Sequence, residues 1–294
     1  MTANVKSIAL AAAAVLSWST VATAFKIAGA YMEPMEMVLV STLTATVIMA
    51  VFLTIKWKWR ELGSLGAGRW VRLALLGLVN PVAYYLVLFA AYDRLPAQVA
   101  QPVNYVWPIM LLVLLAIFNR QRIPAIKYVG MFVSLAGVAC ISLGGRGIEG
   151  GVPPMGIILA LASALLWAFY WLLNRRLCSD IDASVAFFVA FLFASVALVI
   201  IALVKGVDPI PFNGLLAGCY IGAFEMAIPF VCFGVALRLT SNPVLVNQLC
   251  YLAPFLSLFF ISTVLGERIL PTTYIGLVLI VGGLIFNQFF PRTK

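Results

Sequence analysis

One carboxylate of this chain stands well inside a long apolar stretch. Glu225 lies within the apolar segment 212–238, whereas the other nine Asp and Glu residues lie near segment ends. A carboxylate within a membrane-spanning segment is costly to bury and usually has a function. Glu225 could bind the ammonium group of a substrate or carry a proton. The alternative is a protonated glutamate that hydrogen-bonds a neighbouring helix, and the sequence leaves these possibilities open.

Amide and aromatic side chains with polar atoms stand inside other apolar segments. We expect these residues to form one substrate-binding site with Glu225: Trp18, Asn80, Tyr84, Tyr85, Gln101, Asn104, Trp107, Trp167, Tyr170, Trp171, Gln248 and Tyr251. Helical spacing places Trp167, Tyr170 and Trp171 on one stripe, which could stack flat apolar rings. Core packing and an aromatic belt at the membrane interface are the alternatives. The belt explains Trp18 and Trp167 poorly, because both stand in the middle of a segment.

Prolines interrupt two of the apolar segments. Pro102 and Pro108 lie in one, and Pro243 and Pro254 in the other. Proline removes a backbone donor and clashes with the preceding turn. Lipid tolerates this only where protein or a water-filled cavity satisfies the freed carbonyls. Broken helices at corresponding places in two halves point to a transporter's substrate site, so we predict that these prolines are hinges. Simple structural kinks are the alternative.

These residues are exceptions in a chain of 294 residues that is 64% hydrophobic. A soluble domain is about 45–50% apolar, and a spanning helix takes about 20 apolar residues. Ten such segments can be marked, at 5–29, 35–56, 70–92, 97–118, 124–143, 154–177, 184–204, 212–238, 243–264 and 270–290. Their length argues against a β-barrel. We therefore predict an all-α polytopic membrane protein with ten transmembrane helices.

The basic residues predict the orientation of the chain. Of the 19 Lys and Arg residues, fourteen fall on the side that holds both termini and five on the other. By the positive-inside rule, both termini are expected in the cytoplasm. The net charge of +9 then reflects topology, and no nucleic-acid-binding motif accompanies it, so nucleic acid is not an expected partner. The chain has no His and no paired Cys spacing, so we expect no metal or other cofactor.

The chain also repeats itself weakly. Matching residues occur in order, namely Trp18 and Trp167 at an offset of 149, Arg94 and Arg238 at 144, and Pro108 and Pro254 at 146. We take 1–146 and 147–294 as two repeats of five helices each. Five is an odd number, so the second repeat enters the membrane upside down, as in many secondary transporters.

Glycines recur seven residues apart in the fifth and tenth segments, as Gly130 and Gly137 and as Gly276 and Gly283. Small residues allow close approach of membrane helices. We predict scaffold contacts there, either between the two halves or between subunits.

Several short motifs, in their order along the chain, resemble one family. They are Leu16-Ser17-Trp18 with Lys26, Leu166-Trp167, Tyr251-Leu252-Ala253-Pro254 and Leu265-Gly266-Glu267-Arg268. The chain resembles the ten-helix, EamA-type members of the drug/metabolite transporter superfamily. It departs from them at Ala253, where the family often has Glu, and at Arg120-Gln121, where the family often has a Gly-Glu pair.

Within that superfamily, the enrichment in Trp and Tyr is similar to that of YddG-type exporters of aromatic amino acids. The resemblance implies a multi-pass protein of the inner membrane. It also implies a central cavity built from segments 1, 3, 4, 6, 8 and 9.

The function predicted is export of small amphipathic metabolites, above all aromatic amino acids, by alternating access. A broad-specificity pump for drugs or cations is the first alternative. A membrane-embedded enzyme lacks the expected motifs, and a channel lacks a ring of charges or a filter sequence. The expected partners are a small-molecule substrate and the lipid bilayer. Ten spans can enclose a cavity without a second chain, so a monomer suffices and the oligomeric state stays open.

Overall fold

All the regular secondary structure of the described residues is helical. The computed structural model describes residues 3–119, 124–144, 151–178, 180–239, 246 and 249–289. The α-helices are α1 Ala3–Gly29, α2 Pro34–Ile55, α3 Trp59–Gly63, α4 Ala67–Gly77, α5 Tyr84–Arg94, α6 Ala97–Asn104, α7 Trp107–Asn119, α8 Ala125–Gly144, α9 Pro154–Leu177, α10 Ala183–Lys205, α11 Phe212–Ile221, α12 Ile228–Leu239, α13 Ala253–Leu265 and α14 Pro271–Phe289.

The helices have the length and composition of a multi-pass membrane protein. Seven described stretches are long and apolar enough to cross a bilayer, namely Asn4–Gly29, Pro34–Ile55, Ala67–Arg94, Ala97–Phe118, Pro154–Asn174, Ala183–Lys205 and Phe212–Ala236. Three shorter apolar helices are Ile126–Ile141, Cys250–Leu265 and Pro271–Asn287. Between 39% and 56% of the most apolar window of each long stretch is buried inside the molecule. Much of the remaining apolar surface therefore suits lipid.

The first helix of each half packs against the other half. α1 contacts α11, α12 and α13, while α9 contacts α5, α6 and α7. The first segment thereby packs against the eighth and ninth, and the sixth segment packs against the third and fourth. This is the set of segments that the family resemblance implies for a central site.

A kinked turn in the third segment and a π-helical turn in the eighth lie at corresponding places. They span Leu78–Ala83 and Gly222–Ala227, and their first residues are 144 positions apart, the offset that also relates Arg94 to Arg238. In the first turn, Asn80 leaves the helical region with φ −143° and ψ 118° directly before Pro81. In the second, Glu225 lies four residues before Pro229, the position whose carbonyl a proline ring displaces. Such turns are frequent at functional sites.

The fourth segment is broken, as the prolines predict. The break falls at Tyr105 and Val106, between α6 and α7. Pro102 lies inside α6, whereas Pro108 is the second residue of α7, where its missing N–H costs little.

The ninth segment changes its helical type in the corresponding place. A 3₁₀ turn at Cys250–Leu252 precedes α13, and Pro254 is the second residue of that helix. Tyr105 and Tyr251 mark the two breaks, 146 residues apart. Pro243 lies outside the described residues, and hinge motion at these prolines stays a prediction.

The predicted glycine contacts join the two halves of one chain. α8 packs along α14, and a Cβ atom built on Gly137 would lie 2.5 Å from the Gly276 carbonyl oxygen. A Cβ atom on Gly283 would overlap the Gly130 carbonyl and Ser134. The two backbones therefore approach more closely than any side chain would allow.

Replacing Gly283 by leucine is expected to destabilise the protein strongly. The new side chain has to push α14 away from α8, and overpacking of this kind costs about 1–3 kcal/mol or more. Thermal unfolding in detergent measures the effect. Gly282→Leu is the matched control, because a Cβ atom on Gly282 meets nothing within 4 Å. Equal stability of the two variants would contradict the close packing.

Candidate substrate-binding site

Trp167 is the centre of a cluster of aromatic rings between the two halves. Its ring centroid lies 4.7 Å from that of Tyr84, at an interplanar angle of 35°. Tyr170 and Trp171 follow on the same face of α9, at 6.0 Å and 5.8 Å. Phe230 of α12 packs edge-on against Trp167 at 5.8 Å. The helical spacing of the α9 aromatics thus produces one surface, as the sequence predicts.

Trp18 joins this group through phenylalanines. Its ring lies 6.2 Å from Phe230 and 5.5 Å from Phe233. We call Trp18, Tyr84, Trp167, Tyr170, Trp171 and Phe230 the aromatic cluster. The sequence analysis did not include Phe230, because nothing distinguishes it from the other 19 phenylalanines until its neighbours are known.

A buried carboxylate lies next to the aromatic cluster. Glu225 is only 8% exposed, and its Oε1 atom accepts a hydrogen bond of 3.0 Å from the Tyr85 hydroxyl. The ring of Tyr85 lies 4.6 Å from that of Tyr84, which stacks on Trp167. The third segment therefore connects the charge of the eighth to the rings of the sixth.

Asn104 connects the aromatic cluster to α6 and α9. Its Oδ1 atom accepts a long hydrogen bond of 3.5 Å from the Tyr84 hydroxyl, and its Nδ2 atom donates to Ser163 Oγ at 2.8 Å. The sequence analysis did not include Ser163. It lies four residues before Trp167 on the same face of α9, so helical spacing could have found it.

Three buried polar atoms of the predicted site residues have no hydrogen-bond partner among the described residues. They are Asn80 Oδ1, Gln101 Oε1 and Trp171 Nε1. The Asn80 amide approaches the hydroxyl of Tyr170, and Gln101 lies one turn before Asn104 on α6. Buried polar atoms are nearly always hydrogen-bonded in folded proteins, so unpaired ones beside a carboxylate and stacked rings are suited to meet a ligand.

The remaining predicted site residues are less closely connected. Trp107 is half-buried against the same core, at the start of α7. Tyr251 is half-buried at the second break. Gln248 lies outside the described residues.

The start of α6, at one end of the site, is held by hydrogen bonds from residues of the second half of the chain. Glu267 accepts from the backbone N–H groups of Ala97 and Gln98, at 3.1 Å and 3.3 Å, and so caps the first turn of α6. The Gln98 side chain donates to the Arg268 carbonyl at 3.1 Å and accepts from Leu270 N. The family motif around Glu267 thus fixes the start of the broken fourth segment.

Lys26 strengthens the same end. Its ammonium donates to the carbonyls of Tyr92 and Leu95, at 2.8 Å and 3.1 Å, which closes the C-terminus of α5. A cation is favourable there because the helix dipole is negative at its C-terminus.

Glu267→Ala is expected to lower stability by about 1–2 kcal/mol, because two N–H groups of α6 lose their cap. Thermal unfolding in detergent should show a midpoint lower by a few degrees. Asp93→Ala is the control, since the Asp93 side chain is 60% exposed and pairs only with Arg94 next to it. A shift no larger than that of the control would show that the cap is dispensable.

Helices of this length, broken in pairs around a buried charge and stacked rings, define a membrane transport protein. A family model, the EamA-like transporter family, matches residues 5–143 and again residues 154–288. The chain belongs to this family, and so to the drug/metabolite transporter superfamily. The resemblance noted in its motifs is confirmed.

Named relatives agree with this assignment. The chain is 28% identical over 282 residues to an aromatic amino acid exporter YddG of Ancylobacter novellus, which covers 92% of each protein. It is 22% identical over 228 residues to the exporter of the same name from Salmonella typhimurium, covering 73% of this chain and 76% of that one.

An uncharacterized transporter and a solved structure are also similar to this chain. An uncharacterized transporter of Clostridium kluyveri is 30% identical over 174 residues, a match that spans only 56% of its length. A crystal structure of a protein with 22% identity superposes with a TM-score of 0.68 and covers 98% of this chain and 96% of its own. At that identity it shows the fold alone.

Proposed function

We propose that this chain exports aromatic amino acids and similar amphipathic metabolites across the inner membrane. The observation that carries the proposal is the stack of Tyr84 on Trp167, one residue along the chain from the Tyr85 hydroxyl that holds Glu225. A flat apolar ring and an ammonium group could be bound there side by side. The names of the two YddG relatives support the same substrate class.

The proposed mechanism is alternating access by two inverted five-helix repeats, 1–146 and 147–294, with ten spans and both termini in the cytoplasm. The kinked turn at Leu78–Ala83 and the π turn at Gly222–Ala227, at an offset of 144, and the paired breaks at an offset of 146 support the repeat. The breaks near Pro102, Pro108 and Pro254 would serve as hinges, while one repeat rocks against the other.

Uptake of labelled tryptophan and phenylalanine into proteoliposomes tests the proposal. We expect time-dependent uptake that an excess of unlabelled aromatic amino acid suppresses. Clear transport of an unrelated solute, with no transport of these two, would refute the substrate assignment.

A pump for organic cations is the second candidate, and the buried carboxylate of Glu225 is the observation that favours it. A resistance panel in cells with and without the protein separates the two functions. Resistance to many unrelated cations, with no change in aromatic amino acid export, would favour the pump.

A further inference from the structure

The chemistry beside the aromatic cluster is that of a site for a cation. Glu225 uses one carboxylate oxygen for Tyr85, and Oε2 has no hydrogen-bond partner among the described residues. Asn80 Oδ1 and Gln101 Oε1 are further acceptors without a donor. A protonated amine carries up to three N–H donors and a positive charge, so it could satisfy several of these atoms at once.

A carboxylate would find no comparable partner among the described side chains. None of the 19 Lys and Arg residues lies more than three residues inside an apolar segment. Lys26 uses its ammonium on the carbonyls that end α5. None of the described Lys and Arg side chains forms a hydrogen bond, ion pair or ring contact with Glu225 or the aromatic cluster. A substrate carboxylate beside Glu225 would thus meet a like charge, which is unfavourable in a site shielded from water.

Most backbone N–H groups at the helix break between α6 and α7 are already paired, so the break is a poor source of the missing donors. Half-helices often bind substrate carboxylates through free backbone N–H groups. Here the N–H groups of Tyr105, Val106 and Ile109 are hydrogen-bonded to carbonyls of the same chain, and Pro108 has none.

The second break is similar. The N–H group of Ala253 bonds the Cys250 carbonyl, and Pro254 has no N–H to offer. Proline in the first turn of both α7 and α13 therefore weakens each helix N-terminus as an anion site.

We propose that the site recognises an aromatic substrate by its ring and its protonated amine, and that the substrate carboxylate is dispensable. Arylalkylamines, which carry the ring and the amine alone, are then ligands of the same site. The inference rests on the proposed function for the position of the site, and it extends the substrate class from aromatic amino acids to aromatic monoamines.

Ligand binding to the purified full-length protein tests the proposal with three indole compounds. Labelled tryptamine carries only the amine, tryptophan carries both groups, and indole-3-propionate carries only the carboxylate. We expect tryptamine to bind, tryptophan to displace it within a few-fold of unlabelled tryptamine, and indole-3-propionate to need at least about tenfold more, the factor expected for one charge-assisted interaction. Absence of tryptamine binding, or displacement of tryptamine by indole-3-propionate as readily as by tryptophan, would overturn the proposal.

Glu225→Gln tests whether Glu225 binds the amine, because this substitution removes the charge of the side chain and preserves its shape. Tryptamine should bind about tenfold or more weakly to this variant, while indole-3-propionate binding should not weaken. Asp208→Asn removes an exposed carboxylate from the loop before α11 and should leave both unchanged. Unchanged tryptamine binding by folded Glu225→Gln would overturn the proposal, and Glu225→Asp provides a second test if the first variant does not fold.

A failure of the amine-recognition proposal can be distinguished from a failure of the proposed export function. Tryptophan uptake without tryptamine binding would refute only the amine-based recognition. Tryptamine binding that depends on Glu225, without tryptophan uptake, would refute only the export of amino acids.

Discussion

Trp167→Ala is expected to abolish most transport of aromatic substrates, while the amount of protein in the membrane should stay near that of the wild type. Trp167 is the one ring that contacts Tyr84, Tyr170, Trp171 and Phe230 together. Aromatic pairs contribute about 0.5–1.5 kcal/mol each beyond the area they bury. Loss of the indole therefore disorders the surface on which a substrate ring would stack, and we expect uptake to fall by about tenfold or more.

Initial rates of labelled tryptophan uptake into proteoliposomes measure this effect. Trp167→Phe should retain part of the activity, because a ring is preserved. Trp70→Ala is the matched control, since Trp70 pairs only with Phe193 at 6.0 Å, away from the site. A wild-type rate and an unchanged KM for Trp167→Ala would make this residue a structural one.

Glu225→Gln should remove the response of transport to a pH gradient. The variant keeps an oxygen to accept from Tyr85, so the local packing is preserved and the charge is lost. A carboxylate can hold a proton or an ammonium group, but not both at once. If the export cycle exchanges the two at Glu225, a gradient that drives the wild type has no effect on the glutamine variant.

The measurement compares tryptophan uptake with and without an imposed pH difference, for the wild type, Glu225→Gln and the exposed-loop control Asp208→Asn. We expect a response in the wild type and in the control, and a rate at least about tenfold lower in Glu225→Gln, since it also loses a charge-assisted contact. An unaltered response to the gradient in Glu225→Gln would exclude this residue as the proton carrier.

Much of the architecture could be predicted from the sequence, because lipid imposes simple rules on composition. Every described α-helix except α3 stays within three residues of the bounds of a marked apolar segment, since each backbone group in lipid has to be paired within its own helix. Pro108 and Pro254 locate both breaks because proline cannot continue the helical hydrogen bonds. The offset of 144 that relates Arg94 to Arg238 also relates the kinked turn at Leu78–Ala83 to the π turn at Gly222–Ala227, which the sequence analysis did not predict.

The site could be predicted only in part. Glu225, Tyr85 and Trp167 were identifiable because polar or large amphipathic side chains are exceptional inside apolar segments. Phe230 and Ser163 were not, because an apolar ring or a small hydroxyl is ordinary there. The role of Glu267 as the cap of α6 was also invisible, since it joins residues 170 positions apart.

The sequence alone therefore determined that the protein is a polytopic helical membrane protein. It also identified the polar side chains that are energetically costly inside an apolar segment and are therefore candidates for a function. Those properties depend on local composition and on the transfer of single side chains into lipid. The tertiary structure decided which of these side chains meet: Tyr85 with Glu225, Tyr84 with Trp167, and Gly130 with Gly283. Contacts between distant helices depend on how the two halves pack against each other, and periodicity along one helix contains no information about that packing.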